Sequence, residues 1–316
     1  MIAFGLGDLF HFISSSSRSN LPNHPLREVG KFKFVSPLLA CGDNSINSTS
    51  EYKTLESTIK QIISQKTEAG KITDASVYLR NPTGAWLGVN ENTEYAPASL
   101  LKVPLMIAYY KLSESKPEIL TQQLFYDGKK DDNASETFKN AHAITRGWYS
   151  VDDLITAMAG YSDNNATLIL KKNMDPKMLT EVYNDLGLPV ATNENPVAQS
   201  ISAREYSYFF RVLYNATYVS PEHSEKALEI LTGQDFPEGI QATVPSSVPI
   251  SQKFGERSLL TPSGEVISRE LHDCGIVYDT NATYLLCIMT RGRDFNDLVD
   301  VIQSIGKAAY QHIHTN

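Results

Sequence analysis

The sequence predicts a two-lobe α/β plus all-α fold: a mainly antiparallel sheet flanked by the first and last helices, with a helical lobe inserted between its strands. Three observations predict it. Helical spacing of apolar residues gives way early to two strand-like runs, a long helical block follows, and strand-like runs return before a closing helix. A cleft is expected between the lobes, where ligand sites commonly form.

Residues 14–26 (SSSSRSNLPNHPL) are rich in Ser, Asn and Pro and read as flexible, so residues 1–50 are expected to be a leader. From Glu51 to Lys66, Leu55, Ile59, Ile62 and Ile63 recur at helical spacing. Ala75–Leu79 and Ala85–Val89 flank Asn81-Pro-Thr-Gly84 and read as two strands joined by a turn. Ser99–Leu112 is apolar nearly all round, which predicts a central helix. Asp127–Asn140 is polar and turn-rich. Ser150 and Asp153 resemble a capping box opening a helix that runs to Gly160. Further helical patterns cover Ala166–Lys172, Pro176–Leu186, Ser202–Tyr214 and Pro221–Leu231. Ile250–Phe254, Cys274–Tyr278 and Tyr284–Thr290 read as strands, and Asp294–Tyr310 as the closing helix. The domain is therefore 51–316, with an α/β lobe from 51–97 and 246–316 and a helical lobe from 98–245.

The composition, 316 residues with 41% apolar and 20% charged, excludes a mostly disordered chain. With 28 basic against 36 acidic residues, a net charge of −8 and no Lys/Arg-rich run, no nucleic-acid partner is expected. Apolar stretches fall short of the ~20 residues that cross a bilayer. Cys41, Cys274 and Cys287 lack CxxC spacing and the seven histidines lack paired ligand spacing, so no metal or other cofactor is expected. Cys274 and Cys287 are placed to face each other across the Asp279–Thr283 turn. Buried free thiols are the preferred reading and a cross-strand disulfide the alternative. Leu38-Leu39-Ala40-Cys41 loosely resembles a lipoprotein cleavage box, but the apolar core before it is short and contains Pro37. An unstructured leader followed by an edge segment is expected instead.

Three short motifs occur in order: Ser99-Leu-Leu-Lys102, Ser162-Asp163-Asn164 and Lys253-Phe254-Gly255. Ser-x-x-Lys also starts at Ser50, Ser57, Ser113 and Ser304, so context must separate Ser99 from the rest. A turn-like Tyr95-Ala-Pro-Ala98 precedes it and a buried helix follows. That places Ser99 at a helix N-terminus, where free N–H groups favour developing negative charge. Lys102 falls one turn later on the same face. Each motif also has a plain structural account: Ser99 as an N-cap, Ser162-Asp163-Asn164 as a helix-linking turn, Lys253 as an edge-strand lysine. Their joint order favours chemistry.

With these residues the chain resembles the class A β-lactamases and related penicillin-recognising serine hydrolases. Tyr95–Leu105, Tyr161–Ala166, His272–Tyr278 and Leu285–Gly292 look like family segments, and the resemblance runs from about Glu51 to Tyr310. It implies the serine β-lactamase/DD-peptidase fold and acyl transfer through a serine ester. A serine hydroxyl is a poor nucleophile until a base takes its proton. Lys102 can do so only when neutral, which requires burial or a neighbouring positive charge such as Lys253. By the resemblance, Ser162 relays a proton to the departing nitrogen, Asn164 and Gly255 belong to the substrate site, and Lys253 attracts a substrate carboxylate. The backbone N–H groups of Ser99 and Glu256 form the oxyanion hole.

Two departures from the family pattern stand out. Phe254 replaces the usual Thr or Ser, which moves discrimination toward an apolar or aromatic substrate group. The Glu-x-x-Leu-Asn segment that activates the deacylating water is missing between Asn164 and Lys253. Glu194 is the only acidic residue from Gly187 to Ser200 and the one candidate substitute there, with a solvated loop charge as its plain reading. The expectation is a monomeric, extracytoplasmic serine hydrolase that β-lactams acylate and that releases them slowly. A D-alanyl carboxypeptidase or transpeptidase is the alternative with the same chemistry. A non-catalytic wall-binding or β-lactam-sensing domain is the alternative from another class.

Overall fold

The computed structural model describes residues 26–40, 51–139, 142–187, 200–233, 236–280 and 282–315. In chain order the elements are β1 (Leu26–Arg27), β2 (Leu38–Ala40), α1 (Lys53–Glu68), β3 (Ile72–Arg80), β4 (Trp86–Val89), β5 (Glu94–Tyr95) and α2 (Lys102–Ser113). Then come β6 (Gln123–Tyr126), β7 (Gly147–Ser150), α3 (Val151–Gly160), α4 (Asn164–Asn173), α5 (Pro176–Asp185), β8 (Ile201–Ser202), α6 (Ala203–Tyr214) and α7 (Pro221–Thr232). The chain closes with β9 (Ile250–Leu260), β10 (Val266–Tyr278), β11 (Thr283–Gly292) and α8 (Phe295–Thr315).

Five strands form one antiparallel sheet in the order β4-β3-β11-β10-β9. Alternation along each strand divides the core. On β11, Leu286 and Ile288 join the cluster built with Leu55, Ile59, Val301 and Ile305 of α1 and α8. Leu285, Cys287 and Met289 join the cluster of the helical lobe. At the centre of that lobe, α2 buries every residue from Lys102 to Tyr110, as its unbroken apolar sequence requires. The Ser150–Asp153 capping box is present, and a second, Ser202–Glu205, starts α6. β9 and β10 run longer than the sequence periodicity indicated, because their outer ends are exposed and lack the apolar alternation that marks a half-buried strand.

Two expectations need correction. Residues 26–40, read as part of a leader, form a docked hairpin. Phe34 and Val35 are buried in the helical-lobe core, and the Glu225 carboxylate accepts the N–H groups of Lys33, Phe34 and Val35. No helical or strand period marks this segment, since one buried pair and one carboxylate clamp supply the docking. Cys274 and Cys287 are bonded to each other, not free; the strand register sets them directly opposite, Cα atoms 3.9 Å apart. Cys41 lies outside the described residues. Among the described residues, no helix is long and apolar enough to cross a membrane.

Candidate active site

The approach to Ser99 is held from three sides. Tyr95 donates its hydroxyl to Asp74 at 2.5 Å, Ala96 N–H donates to Glu270 at 3.1 Å, and His272 Nε2 lies 3.0 Å from the Ala96 carbonyl. Burial lowers His272 to about 4, so the ring is neutral, and its Nε2 must carry the proton that the carbonyl accepts. Ala98 then takes φ 48°, an uncommon conformation for a residue with a Cβ. Ser99 follows in a 3-10 turn, Ala98–Leu101, and the α-helix begins at Lys102. Tyr206 donates its hydroxyl to the Leu100 carbonyl at 3.0 Å.

Gly255 packs against the turn that carries Ser99. A Cβ there would stand 3.0 Å from the Pro97 carbonyl oxygen and 3.2 Å from Leu100 N. The close approach of β9 to the turn carrying Ser99 thus requires glycine here. It brings Glu256, the next residue, to the cleft beside Ser99.

The cleft has a volume of about 450 Å3 and its lining includes Ser99, Lys102, Glu136, Asn164, Glu256 and Arg257. Lys102 Nζ donates to the Ser162 carbonyl at 2.5 Å, Asn164 Oδ1 at 2.7 Å and Ser162 Oγ at 3.0 Å. Three donated bonds describe an ammonium. To act on Ser99 it must lose a proton and turn the freed lone pair toward the hydroxyl. Ser162 has φ 59°, a second strained residue, and that left-handed turn at the end of α3 presents its Oγ to both amines. Lys253 Nζ, fully buried on β9, is also 3.0 Å from Ser162 Oγ and donates to the Phe254 carbonyl. Asp163 caps α4 through the Ala166 N–H and also accepts from Ile144, so the middle residue of this motif is structural.

Burial lowers Lys102 to about 8, with the Lys171 charge adding to it and Glu136 and Asp163 opposing. Lys253 is held well below the usual lysine range, first by burial and then by the charge of Lys102. The sequence pointed to Lys253 as the neighbour depressing Lys102; burial is the main cause, and Lys171 the cation that assists. Through Ser162 Oγ the two amines form one coupled unit.

Other residues enter the site without sequence warning. Glu136 Oε1 accepts from Asn164 Nδ2 at 2.6 Å, whereas Glu136 Oε2 is buried with no hydrogen-bond partner. Desolvation raises its carboxyl above the ordinary glutamate value, and the charge of Lys102 restrains the rise. The Glu256 carboxylate accepts the N–H groups of Thr137 and Phe138, both at 2.9 Å, and so ties β9 to the loop carrying Glu136. Glu256 was expected for its backbone N–H, not its carboxylate; Glu136 belongs to no spacing pattern, and only the polarity of Asp127–Asn140 marked its loop.

Phe254 is a correction. It follows Lys253 on the strand and so points to the opposite sheet face, where it stacks on Phe236 with ring centroids 4.4 Å apart, 3% exposed. It does not line the cleft. The same alternation separates His272, facing the helical lobe, from Asp273, which accepts the Ile240 N–H at 2.7 Å. Glu194 lies outside the described residues.

A family model described as the β-lactamase enzyme family matches residues 54–313. Solved structures share the fold at low identity. A PBP-A variant, solved as an acyl-enzyme complex with penicillin G, has 20% identity and a TM-score of 0.67, covering 84% of this chain and 97% of its own. A β-lactamase from Sphaerobacter thermophilus gives 20% and 0.67, covering 84% and 98%. A class A β-lactamase representative from Bacteroides cellulosilyticus gives 16% and 0.67, covering 83% and 99%. No curated protein matches the chain significantly.

Proposed function

The chain belongs to the β-lactamase enzyme family, and from that premise we propose that it is a serine hydrolase whose Ser99 is acylated by β-lactams and freed slowly. One observation carries the reading: Lys102 and Lys253 both reach Ser162 Oγ at 3.0 Å, with Lys102 and Ser99 lining one cleft. Neutral Lys102 takes the Ser99 proton as Oγ bonds to the lactam carbonyl carbon, while the Ser99 and Glu256 N–H groups receive the oxyanion. The carbonyl carbon–nitrogen bond then breaks, and the nitrogen takes its proton from Ser162, which Lys102 and Lys253 recharge. Lys253 is buried behind Ser162, so Arg257, which lines the cleft, is the better partner for a substrate carboxylate.

Slow release is supported by how the cleft carboxylates are engaged. Glu256 Oε1 holds two backbone N–H groups and Glu136 Oε1 holds Asn164, so each carboxylate has one oxygen committed to the fold. A bound Cys274–Cys287 pair fits an extracytoplasmic location, and a monomer suffices because this chain supplies every group named. Intact-protein mass spectrometry after mixing with penicillin G tests the reading. A persistent adduct in the parent and none in Ser99→Ala is expected. Rapid turnover without accumulated adduct contradicts slow release; a folded sample with neither adduct nor turnover contradicts the hydrolase reading.

A further inference from the structure

A second cavity, of about 180 Å3, is lined by residues entirely different from those of the cleft, among them Arg27, Arg80, Arg211, Tyr214, Ile276 and Leu285. Three arginines line it, and no aspartate or glutamate is among its lining residues. This runs against the composition of a chain carrying eight more acids than bases. Arg27 is committed to the fold. It donates to the Ser36 carbonyl at 2.7 Å, Asn215 Oδ1 at 2.8 Å and the Pro82 carbonyl at 3.0 Å, which pins the N-terminal hairpin to α6 and the β3–β4 turn.

The other two are not committed. Among the described residues Arg80 has a single side-chain hydrogen bond, a 3.4 Å contact with the Tyr78 hydroxyl. Arg211 lies 5.6 Å from the centre of the Tyr208 ring and makes no hydrogen bond or ion pair through its guanidinium among the described residues. Both side chains are half-buried. Burial and the charge of Arg80 each push the Arg211 guanidinium below its ordinary value. Arginine does not answer such pressure by losing its proton, and an anion set between the two side chains would relieve it. A guanidinium presents N–H donors in a planar fork that matches carboxylate and phosphate oxygens.

We propose that this cavity is an oxyanion-binding site, in which Arg80 and Arg211 hold the phosphate or carboxylate group of a small ligand against the wall formed by Ile276 and Leu285. The site is independent of the chemistry at Ser99.

Isothermal titration of the full chain with inorganic phosphate and, separately, with acetate tests it, at ionic strength held constant with sodium chloride. Saturable binding of at least one anion is expected, and the stronger of the two identifies the ligand class. Arg211→Gln and Arg80→Gln should each weaken it at least tenfold while penicillin still labels Ser99 as in the parent. Arg211→Lys, which keeps the charge and loses the fork, serves if either glutamine variant fails to fold, and should weaken binding measurably. Heat no greater than that from chloride alone, or equal affinity in parent and variants, would overturn the proposal.

Discussion

Lys102 and Lys253 stand on either side of the Ser162 hydroxyl, each 3.0 Å from it, whereas Arg80 and Arg211 line a cavity and share no acceptor among the described residues. Both regions bury cations of like sign. Desolvation disfavours charge in both, but the side chains respond differently. A lysine amine sheds its proton when the cost rises, and the shed state is a base. A guanidinium keeps its charge and remains a fixed positive fork. The first arrangement suits proton transfer; the second suits holding an anion. Nearby acids fit this division: Glu136, Asp163 and Glu256 oppose the depression of Lys102, while no acid lines the arginine cavity.

Exchanging the two side-chain types tests the contrast most severely. Lys102→Arg preserves the charge and removes the titration, so the penicillin acylation rate should fall about 10³-fold, within the usual contribution of general acid–base catalysis. Arg211→Lys should leave that rate unchanged. Stopped-flow or mass-spectrometric acylation rates measure both, and a Lys102→Arg enzyme acylating within tenfold of the parent breaks the comparison.

His272 extends the rule from lysine to histidine. Its value falls from 6.5 to about 4 on burial, so between those limits the unfolded chain binds a proton that the folded one refuses. Stability contributed by the neutral ring is complete above pH 6.5 and declines as pH falls toward 4, by roughly 3 kcal/mol in all. Asp273, raised to about 7 by burial, acts in the opposite sense, losing stability as pH rises from about 4 to 7. Comparing urea midpoints of the parent and His272→Gln across that range isolates the histidine. If both lose stability in parallel on acidification, His272 is not the neutral donor to Ala96.

Acylation should itself rise with pH through about 8 and level off above it, because only neutral Lys102 serves as base. At pH 7 about a tenth of Lys102 is neutral, so the plateau rate should be roughly tenfold higher. A rate flat from pH 6 to 9 in the parent would place the proton acceptor elsewhere.

How much of this was legible beforehand follows physical lines. The helices and central strands were readable because burial imposes a period of 3.6 or 2 on apolar residues. The Ser150–Asp153 cap was readable because its chemistry is local. Ser99, Lys102, Ser162 and Lys253 were readable as motifs, since a turn, a helix and a strand fix their spacing. Phe254 was misread for want of register: the period that turns Lys253 toward Ser162 turns its neighbour into an aromatic cluster. Glu136 was invisible because its partner Asn164 lies 28 residues away and no local pattern links them. Arg80 and Arg211 were likewise unremarkable in sequence; β3 and α6 bring them together only in the folded chain.

Glu136 carries the smallest expected effect and the finest distinction. Its Oε1 takes one Asn164 Nδ2 hydrogen and the Asp132 carbonyl, at 3.2 Å, takes the other, so Asn164 has no amide hydrogen left for a substrate carbonyl. Its charge also opposes the depression of Lys102. Both effects restrain acylation, so Glu136→Ala should acylate a few-fold faster at pH 7, with the midpoint of its pH profile below that of the parent. Lifetime of the adduct separates this restraint from a role in release: Oε2 lacks a partner and is free to accept a proton from water. Faster acylation with an unchanged lifetime makes Glu136 a gate on Asn164. An adduct that lasts many-fold longer makes it the base for release, and would mean that this cleft, like the lysine pair it contains, works by a buried group that changes its charge.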